Sequence, residues 1–288
     1  MSVAYAAIAG FAFGALSVAV RAGLSGPDNP ELAAFAATAF AAALCATVGV
    51  VDQPAGGIRV GTLWPYLIAG GLAPGVSQIC LTFAVRSAGA ARTAIVMGSA
   101  PMLSVVIAFT ALAEPIRPHL LAGTFAIVVG ASVLAFERGR KQRSHLRGAL
   151  LAGICAVLFA VRDNLLRSLA TGEHAAPFAE ATAILTGATA VIGLYILCVR
   201  PTIAPAQIGR TFVRFAPAGT ALAVGYSSLL TAFAQGRVSV VSPLNATGAL
   251  WAVALAALTF RRTEQIGRST LAAAILIVIG GVTIGASG

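Results

Sequence analysis

Apolar runs of about 20 residues recur along the whole chain, separated by short turn-like or charged segments. Runs of this length match a helix that crosses a bilayer core about 30 Å thick. They are too long and too rich in alanine and leucine for membrane β-strands. The pattern therefore predicts an all-α integral membrane protein with ten transmembrane helices. These helices are expected at residues 3–24, 31–51, 62–84, 89–112, 118–136, 147–169, 177–199, 213–234, 238–260 and 268–286.

The composition excludes a soluble domain. Hydrophobic residues make up 58% of the 288 residues and charged residues only 10%, whereas soluble domains carry about 25% charged residues. Most of the surface must therefore contact the lipid bilayer. The net charge of +10 does not indicate a nucleic-acid partner, because most of the basic residues lie in or beside the connectors, where membrane topology uses them.

The second half of the chain resembles the first. A shift of 150 residues pairs identical residues, among them Gly75 with Gly225, Phe83 with Phe233, Gly98 with Gly248 and Glu114 with Glu264. We therefore expect two five-helix repeats, at residues 1–137 and 146–288, joined by a basic connector at residues 138–145. Because five is an odd number, the second repeat enters the membrane from the opposite side. Two such repeats of opposite orientation are an inverted repeat, which is typical of many secondary transporters.

Polar residues and prolines inside the apolar runs are candidates for a substrate site. A proline within a helix frees the carbonyl four residues earlier, and such a group in a bilayer needs a partner or a cavity. Helix packing is the alternative role for all of them. Four prolines are predicted to interrupt helices: Pro74, Pro101, Pro217 and Pro243. The candidate substrate-binding residues are Ser77, Gln78, Met97, Ser99, Pro101, Tyr226, Ser242, Asn245 and Trp251.

Two charged residues, Arg162 and Asp163, fall in the middle of the sixth predicted helix. Ionisable groups inside a membrane usually face a partner or a cavity. The i,i+4 spacing of Asp163 and Arg167 predicts an ion pair on one helix face, and the alternative is a role for Asp163 in substrate binding or proton coupling. Ile277 is expected to face lipid. The sequence contains no metalloprotease, hydrolase-elbow or P-loop motif, so we expect no cofactor, no bound metal and no enzymatic activity.

An acidic residue followed by a helix with small residues at fixed spacing occurs in both halves: Glu114, Gly123 and Gly130, then Glu264, Ala273 and Gly280. This doubled pattern resembles the EamA type of the drug/metabolite transporter superfamily. Residues 77–81, with residues 97–101 downstream, resemble its YddG-like amino-acid exporter branch. The resemblance implies a ten-helix exporter of small metabolites in a bacterial inner membrane. It also implies a central cavity lined by helices one, three, four, six, eight and nine.

We therefore expect a monomeric secondary transporter that exports small amphipathic metabolites, above all neutral amino acids, by alternating access around a midplane cavity. The alternatives are a multidrug or other-metabolite exporter of the same superfamily, a passive channel and an integral-membrane enzyme. The first predicted helix holds no acidic residue, so we expect no proton coupling unless Asp163 supplies it. Most of the 19 Lys and Arg lie on the side of the 138–145 connector, which places both termini outside the plasma membrane.

Overall fold

The computed structural model describes residues 1–24, 29–51, 60–88, 96–137, 146–170, 177–199, 205–259 and 268–285. Within these ranges the chain is helical, with short turns and no β-strand, which confirms the all-α prediction. The helices are α1 (Ser2–Gly23), α2 (Pro30–Val51), α3 (Trp64–Gly70), α4 (Ser77–Ala88), α5 (Ala100–Ala111), α6 (Pro118–Glu137), α7 (Leu146–Ala170), α8 (Pro177–Val199), α9 (Pro205–Gln235), α10 (Val238–Ala246), α11 (Gly248–Thr259) and α12 (Arg268–Gly285). The connector 138–145 and Glu264 lie outside the described residues.

Among the described residues, six helical segments are long and apolar enough to cross a membrane. They are Ser2–Gly23, Pro30–Val51, Trp64–Ala84, Arg147–Ala170, Pro177–Val199 and Val238–Thr259. Shorter apolar helices occupy Ala100–Ala111, Pro118–Gly130 and Ala272–Ile284. Each of these segments coincides with a predicted apolar run. The predicted run 213–234 lies within α9, which begins earlier, at Pro205. These helices fit a multi-pass membrane protein.

Two of the predicted helices are interrupted near their prolines. Ala73 has an extended backbone (φ −145°, ψ 115°) immediately before Pro74, so a widened π-helical turn at Gly71–Val76 separates α3 from α4. Pro243 lies inside α10, and the helix is interrupted four residues later at Thr247, before α11 begins. The break at Ala73 follows from the missing N–H of Pro74 and the clash of its ring with the preceding helical turn. The interruption at Thr247 lies after Pro243, so this effect of proline does not account for it.

Pro101 lies at the start of a helix and does not kink the middle of one, so the helix predicted over 89–112 is interrupted within its described part, residues 96–112. Residues 98 and 99 form a turn, and α5 begins at Ala100. Proline is tolerated in the first turn of a helix, where its missing N–H would have no intrahelical partner in any case. Pro217, in contrast, lies inside the long helix α9.

The helices α3 and α8 cross at two glycines, one on each helix. A Cβ atom on Gly187 would overlap the carbonyl oxygen of Leu67, and a Cβ atom on Gly70 would overlap that of Ile184. The two backbones therefore touch directly, as small residues allow between membrane helices.

A second close contact runs along α6 and α12, and we call it the glycine seam. A Cβ atom on Gly280 would lie 2.5 Å from the carbonyl oxygen of Gly123, and one on Gly130 would lie 2.8 Å from that of Ala273. The prediction that Ile277 faces lipid is wrong, because its side chain is fully buried in this seam. Its Cγ1 atom would lie 2.7 Å from a Cβ on Gly130, so the isoleucine fills the space that the glycine leaves.

Candidate functional site

The charged residues of α7 lie in the protein interior. Arg162, Asp163 and Asn164 are each no more than 5% exposed. Successive residues of a helix point about 100° apart, so three consecutive buried residues require protein on most sides of the helix. α7 meets this requirement because it packs against α4, α5, α9 and α10.

Arg162 and Asp163 form a buried ion pair. Oδ1 of Asp163 accepts hydrogen bonds from Nη2 of Arg162 at 2.5 Å and from its Nε at 3.1 Å. The predicted pairing of Asp163 with Arg167 is wrong. Arg167 instead donates from Nη1 to the carbonyl oxygen of Phe233 at 2.5 Å, near the end of α9, where carbonyl groups have no intrahelical donor.

Hydroxyl groups from two other helices bind the second oxygen of the Asp163 carboxylate. Ser242 on α10 donates to Oδ2 at 2.7 Å, and Ser104 on α5 donates to it at 3.4 Å. Both serines are buried. The carboxylate therefore joins α5, α7 and α10, and both of its oxygens have donors, as a buried charge requires.

Tyr226 on α9 completes the surroundings of the guanidinium. Nη1 of Arg162 donates to the Tyr226 hydroxyl at 2.9 Å. The guanidinium carbon also lies 4.7 Å from the centre of the Phe159 ring, within the range of a cation–π contact. Phe13 of α1 meets the Tyr226 ring edge to face, with 5.6 Å between ring centres, so α1 supports the site through an aromatic contact.

Asn164 connects the same helix to α5. Its Nδ2 donates to the backbone oxygens of Ser104 at 3.0 Å and Ala160 at 2.9 Å. Its Oδ1 is buried and has no hydrogen-bond partner among the described residues. This oxygen is an acceptor that a bound molecule or a water could use.

Three residues selected from the sequence therefore meet in the structure: Tyr226, Ser242 and Asp163. The candidates of the first half lie around the breaks in the helices. Ser77 is fully buried at the start of α4, and its backbone oxygen accepts a hydrogen bond from the Cys155 thiol at 3.2 Å. Ser99 lies in the turn before α5, where its hydroxyl donates to the Val96 carbonyl at 2.7 Å. Gln78 and Met97 are half-buried and Pro101 is buried.

Asn245 and Trp251 lie along the interface of α10 and α11 with α1. Asn245 is half-buried, and its Oδ1 has no hydrogen-bond partner in the described part of the chain. A Cβ atom on Gly10 of α1 would lie 3.2 Å from the Asn245 carbonyl oxygen, so α1 packs directly on the interruption between α10 and α11. Trp251 is 39% exposed and meets Phe11 edge to face at 5.3 Å, which places it toward the outer face of α1.

Three residues in or beside the Arg162–Asp163 pair were not selected as site residues from the sequence. Arg162 was noticed as a charge within the membrane, but neighbouring residues do not normally face each other on a helix. Ser104 gave no signal in the sequence, because the hydroxyl of a serine within a helix often binds the backbone of its own helix. Asn164 gave one usable signal, because it extends the polar stretch at Arg162 and Asp163 in an otherwise apolar helix.

Glu114 links the two halves of the chain at one end of the bundle. Its carboxylate accepts hydrogen bonds from the backbone N–H groups of Val238 at 2.8 Å and Ser239 at 3.1 Å, and from the Ser239 hydroxyl at 2.5 Å. The acidic residue that follows α5 therefore caps the N-terminus of α10, the helix that carries Ser242. A negative charge at this position also interacts favourably with the helix dipole.

Comparisons with known proteins agree with this architecture. Residues 1–136 match the model of the EamA-like transporter family, which supports a membrane transporter of the drug/metabolite superfamily. No curated protein matches the chain. One solved structure, titled only "Crystal structure of protein", has a TM-score of 0.81 at 19% identity and covers 98% of this chain and 95% of its own. An identity this low shows a shared fold and nothing further.

Proposed function

We propose that this protein is a secondary transporter that exports small amphipathic metabolites, with neutral amino acids as its substrates. The observation that carries this proposal is the buried Arg162–Asp163 pair, which two predicted site residues, Tyr226 and Ser242, contact directly. Charged groups inside a membrane protein commonly mark a substrate path. A neutral amino acid carries one positive and one negative charge, so a site with one of each suits it. The family match of residues 1–136 supports transport itself.

The proposed mechanism is alternating access by two inverted repeats, residues 1–137 and 146–288. The helix contacts support this proposal because they occur in matched pairs. In the proposed repeats α7 is the counterpart of α1, and α3 together with α4 is the counterpart of α9. α1 packs against α9, and α7 packs against α4. α2 packs against α9, and the counterparts α8 and α3 do the same. The contact of α2 with α8 and the contact of α6 with α12 each join a helix to its own counterpart, so exchanging the two repeats leaves both contacts unchanged.

The proposed orientation follows the distribution of basic residues. We propose a plasma-membrane protein with the 138–145 connector in the cytoplasm and both termini outside. A C-terminal reporter that fluoresces only in the cytoplasm tests the orientation. We expect a dark fusion, whereas a matching reporter inserted in the connector should be bright. The opposite pattern would reverse the proposed topology.

Counterflow in proteoliposomes tests the transport proposal. Vesicles preloaded with methionine or threonine should accumulate the external labelled amino acid transiently and with saturation, without an imposed pH gradient. Flux that does not saturate would indicate a channel. Flux that requires the pH gradient and disappears in Asp163→Asn would indicate proton coupling. If no amino acid competes at millimolar concentration, the substrate is another metabolite or a drug.

Side-chain substitutions test whether the helix breaks contribute to the site. Gln78→Ala and Asn245→Ala should each weaken substrate affinity about ten- to hundredfold, because a hydrogen bond to a charged group contributes about 1.5–3 kcal/mol. Thr220→Ala is the control, since the exposed Thr220 hydroxyl donates to its own helix, at the Ala216 carbonyl. Unchanged transport in both site variants would move the binding site away from these breaks.

A further inference from the structure

We infer that Arg162 and Asp163 are the two halves of the substrate receptor, and that a bound zwitterion separates them. In the loaded state the substrate carboxylate replaces Asp163 at the guanidinium, and the substrate ammonium replaces Arg162 at the Asp163 carboxylate. This inference rests on the proposed function and specifies how the substrate class is recognised. It assigns a specificity-determining role to Arg162.

Each charged group has a support of its own, independent of the other. The Asp163 carboxylate divides its contacts: among the described residues Oδ1 binds only Arg162, whereas Oδ2 accepts from Ser242 and Ser104. The guanidinium is likewise held at Nη1 by the Tyr226 hydroxyl and at its face by Phe159. The ion pair can therefore open at Oδ1 while the other contacts keep both groups in place.

The donors and acceptors freed by opening match those of an amino acid. Nε and Nη2 of Arg162 become two donors in a fixed fork, the geometry that a carboxylate accepts in bidentate fashion. Oδ1 of Asp163 becomes an acceptor for an ammonium group, whose three N–H donors leave two for other acceptors. The unpartnered Oδ1 of the neighbouring Asn164 is an acceptor on the same stretch of α7.

Burial makes this exchange selective for zwitterions. Both side chains are about 95% buried, and separating a buried pair without replacing both partners leaves an uncompensated charge in the interior. A simple amine would leave the guanidinium unpaired, and a simple carboxylate would leave Asp163 unpaired. A zwitterion compensates both groups, so the site keeps zero net charge whether empty or loaded.

The test compares three ligands of equal side chain on the purified full-length protein: L-methionine, 3-(methylthio)propylamine, which lacks the carboxylate, and 4-(methylthio)butanoic acid, which lacks the amine. Binding is measured by calorimetry in detergent. The wild-type protein should bind methionine at least about tenfold more tightly than either analogue. Equal affinity for methionine and one analogue would overturn the inference without recourse to any variant.

Two substitutions make the test directional. Asp163→Asn should weaken methionine binding at least about tenfold and strengthen binding of the acid analogue, because Arg162 then lacks its counter-charge. Arg162→Gln should instead strengthen binding of the amine analogue, because Asp163 then lacks its counter-charge. Arg167→Gln is the matched control: it removes the same charge from the same helix but lies outside the pair, and it should leave the ligand ranking unchanged. Folding is checked by the elution volume and circular dichroism of each variant.

The outcomes separate this inference from the function on which it rests. If the wild type binds and transports methionine but the variants keep its ligand ranking, the pair is a structural clamp and only the inference fails. If the wild type binds none of the three ligands and transports no amino acid, the proposed function fails and the inference fails with it.

Discussion

The carboxylate of Glu114 should control the stability of the start of α10. In Glu114→Gln, one carboxylate oxygen becomes an NH₂ group, which cannot accept a hydrogen bond, so either the bond from Val238 to one oxygen or the bonds from Ser239 to the other are lost. The full negative charge at the helix N-terminus is lost as well. We expect the first turn of α10 to open more readily, while the rest of the bundle stays folded.

The magnitude follows from three contacts and a partly buried side chain. Loss of a helix N-cap typically costs about 1 kcal/mol, and loss of a charge at a helix end costs about 0.3–1 kcal/mol. A hydrogen bond to a charged acceptor contributes about 1.5–3 kcal/mol. These contributions overlap, so we expect about 2 kcal/mol, which corresponds to an approximately 30-fold change in a local opening equilibrium.

Hydrogen–deuterium exchange with mass spectrometry measures this opening directly. The amides of Val238 and Ser239 should exchange about 30-fold faster in Glu114→Gln than in the wild type. Thr110→Ala is the nearby control, because the Thr110 hydroxyl donates to carbonyl groups of its own helix. Exchange at residues 238–239 in this variant should match the wild type. Unchanged exchange at these two amides in Glu114→Gln would refute the capping role.

Three further predictions concern single residues, each measured by thermal unfolding in detergent. Gly187→Ala should destabilise the protein by about 1–3 kcal/mol, because its Cβ would overlap the Leu67 carbonyl. Gly153→Ala is the control and should not destabilise the protein, because a Cβ there would meet nothing within 4 Å. Equal effects of the two substitutions would contradict the close crossing of α3 and α8. Ala113→Gly should stabilise by about 1 kcal/mol, because Ala113 has a φ of 49°, which glycine adopts freely; a loss of stability would contradict this. Tyr226→Phe should cost about 1.5–3 kcal/mol by removing the acceptor for Nη1 of Arg162, and a neutral result would mean that this bond contributes little.

The positions of most helices could be predicted because a bilayer dictates the length of an apolar run. The interruptions were harder to predict. Pro74 indicated the break before α4 correctly, but Pro101 is equally compatible with a kink inside a helix and with the first turn of a new one. Apolar composition is similar on both sides of the turn at residues 98–99, so the sequence offers no signal to choose between them.

The site was only partly predictable for a different reason. Tyr226 and Ser242 stand out because polar groups are rare in apolar helices and need partners there. The partner of Asp163 was assigned to Arg167 because spacing on an ideal helix favours residues four apart. A long arginine side chain can nevertheless turn back to its neighbour when the surrounding helices enclose both groups. That enclosure depends on tertiary packing, which spacing along one helix does not contain.

The glycine seam has a consequence for the proposed two-repeat organisation. In the repeat alignment Gly123 corresponds to Ala273, and Gly130 corresponds to Gly280. Gly123 contacts Gly280 and Gly130 contacts Ala273, so exchanging the two halves reproduces the same pair of contacts. This is the rule of an isologous interface, in which one patch binds its own copy across a two-fold axis. Under the two-repeat organisation proposed above, one half alone would form this contact with a second copy of itself as a homodimer.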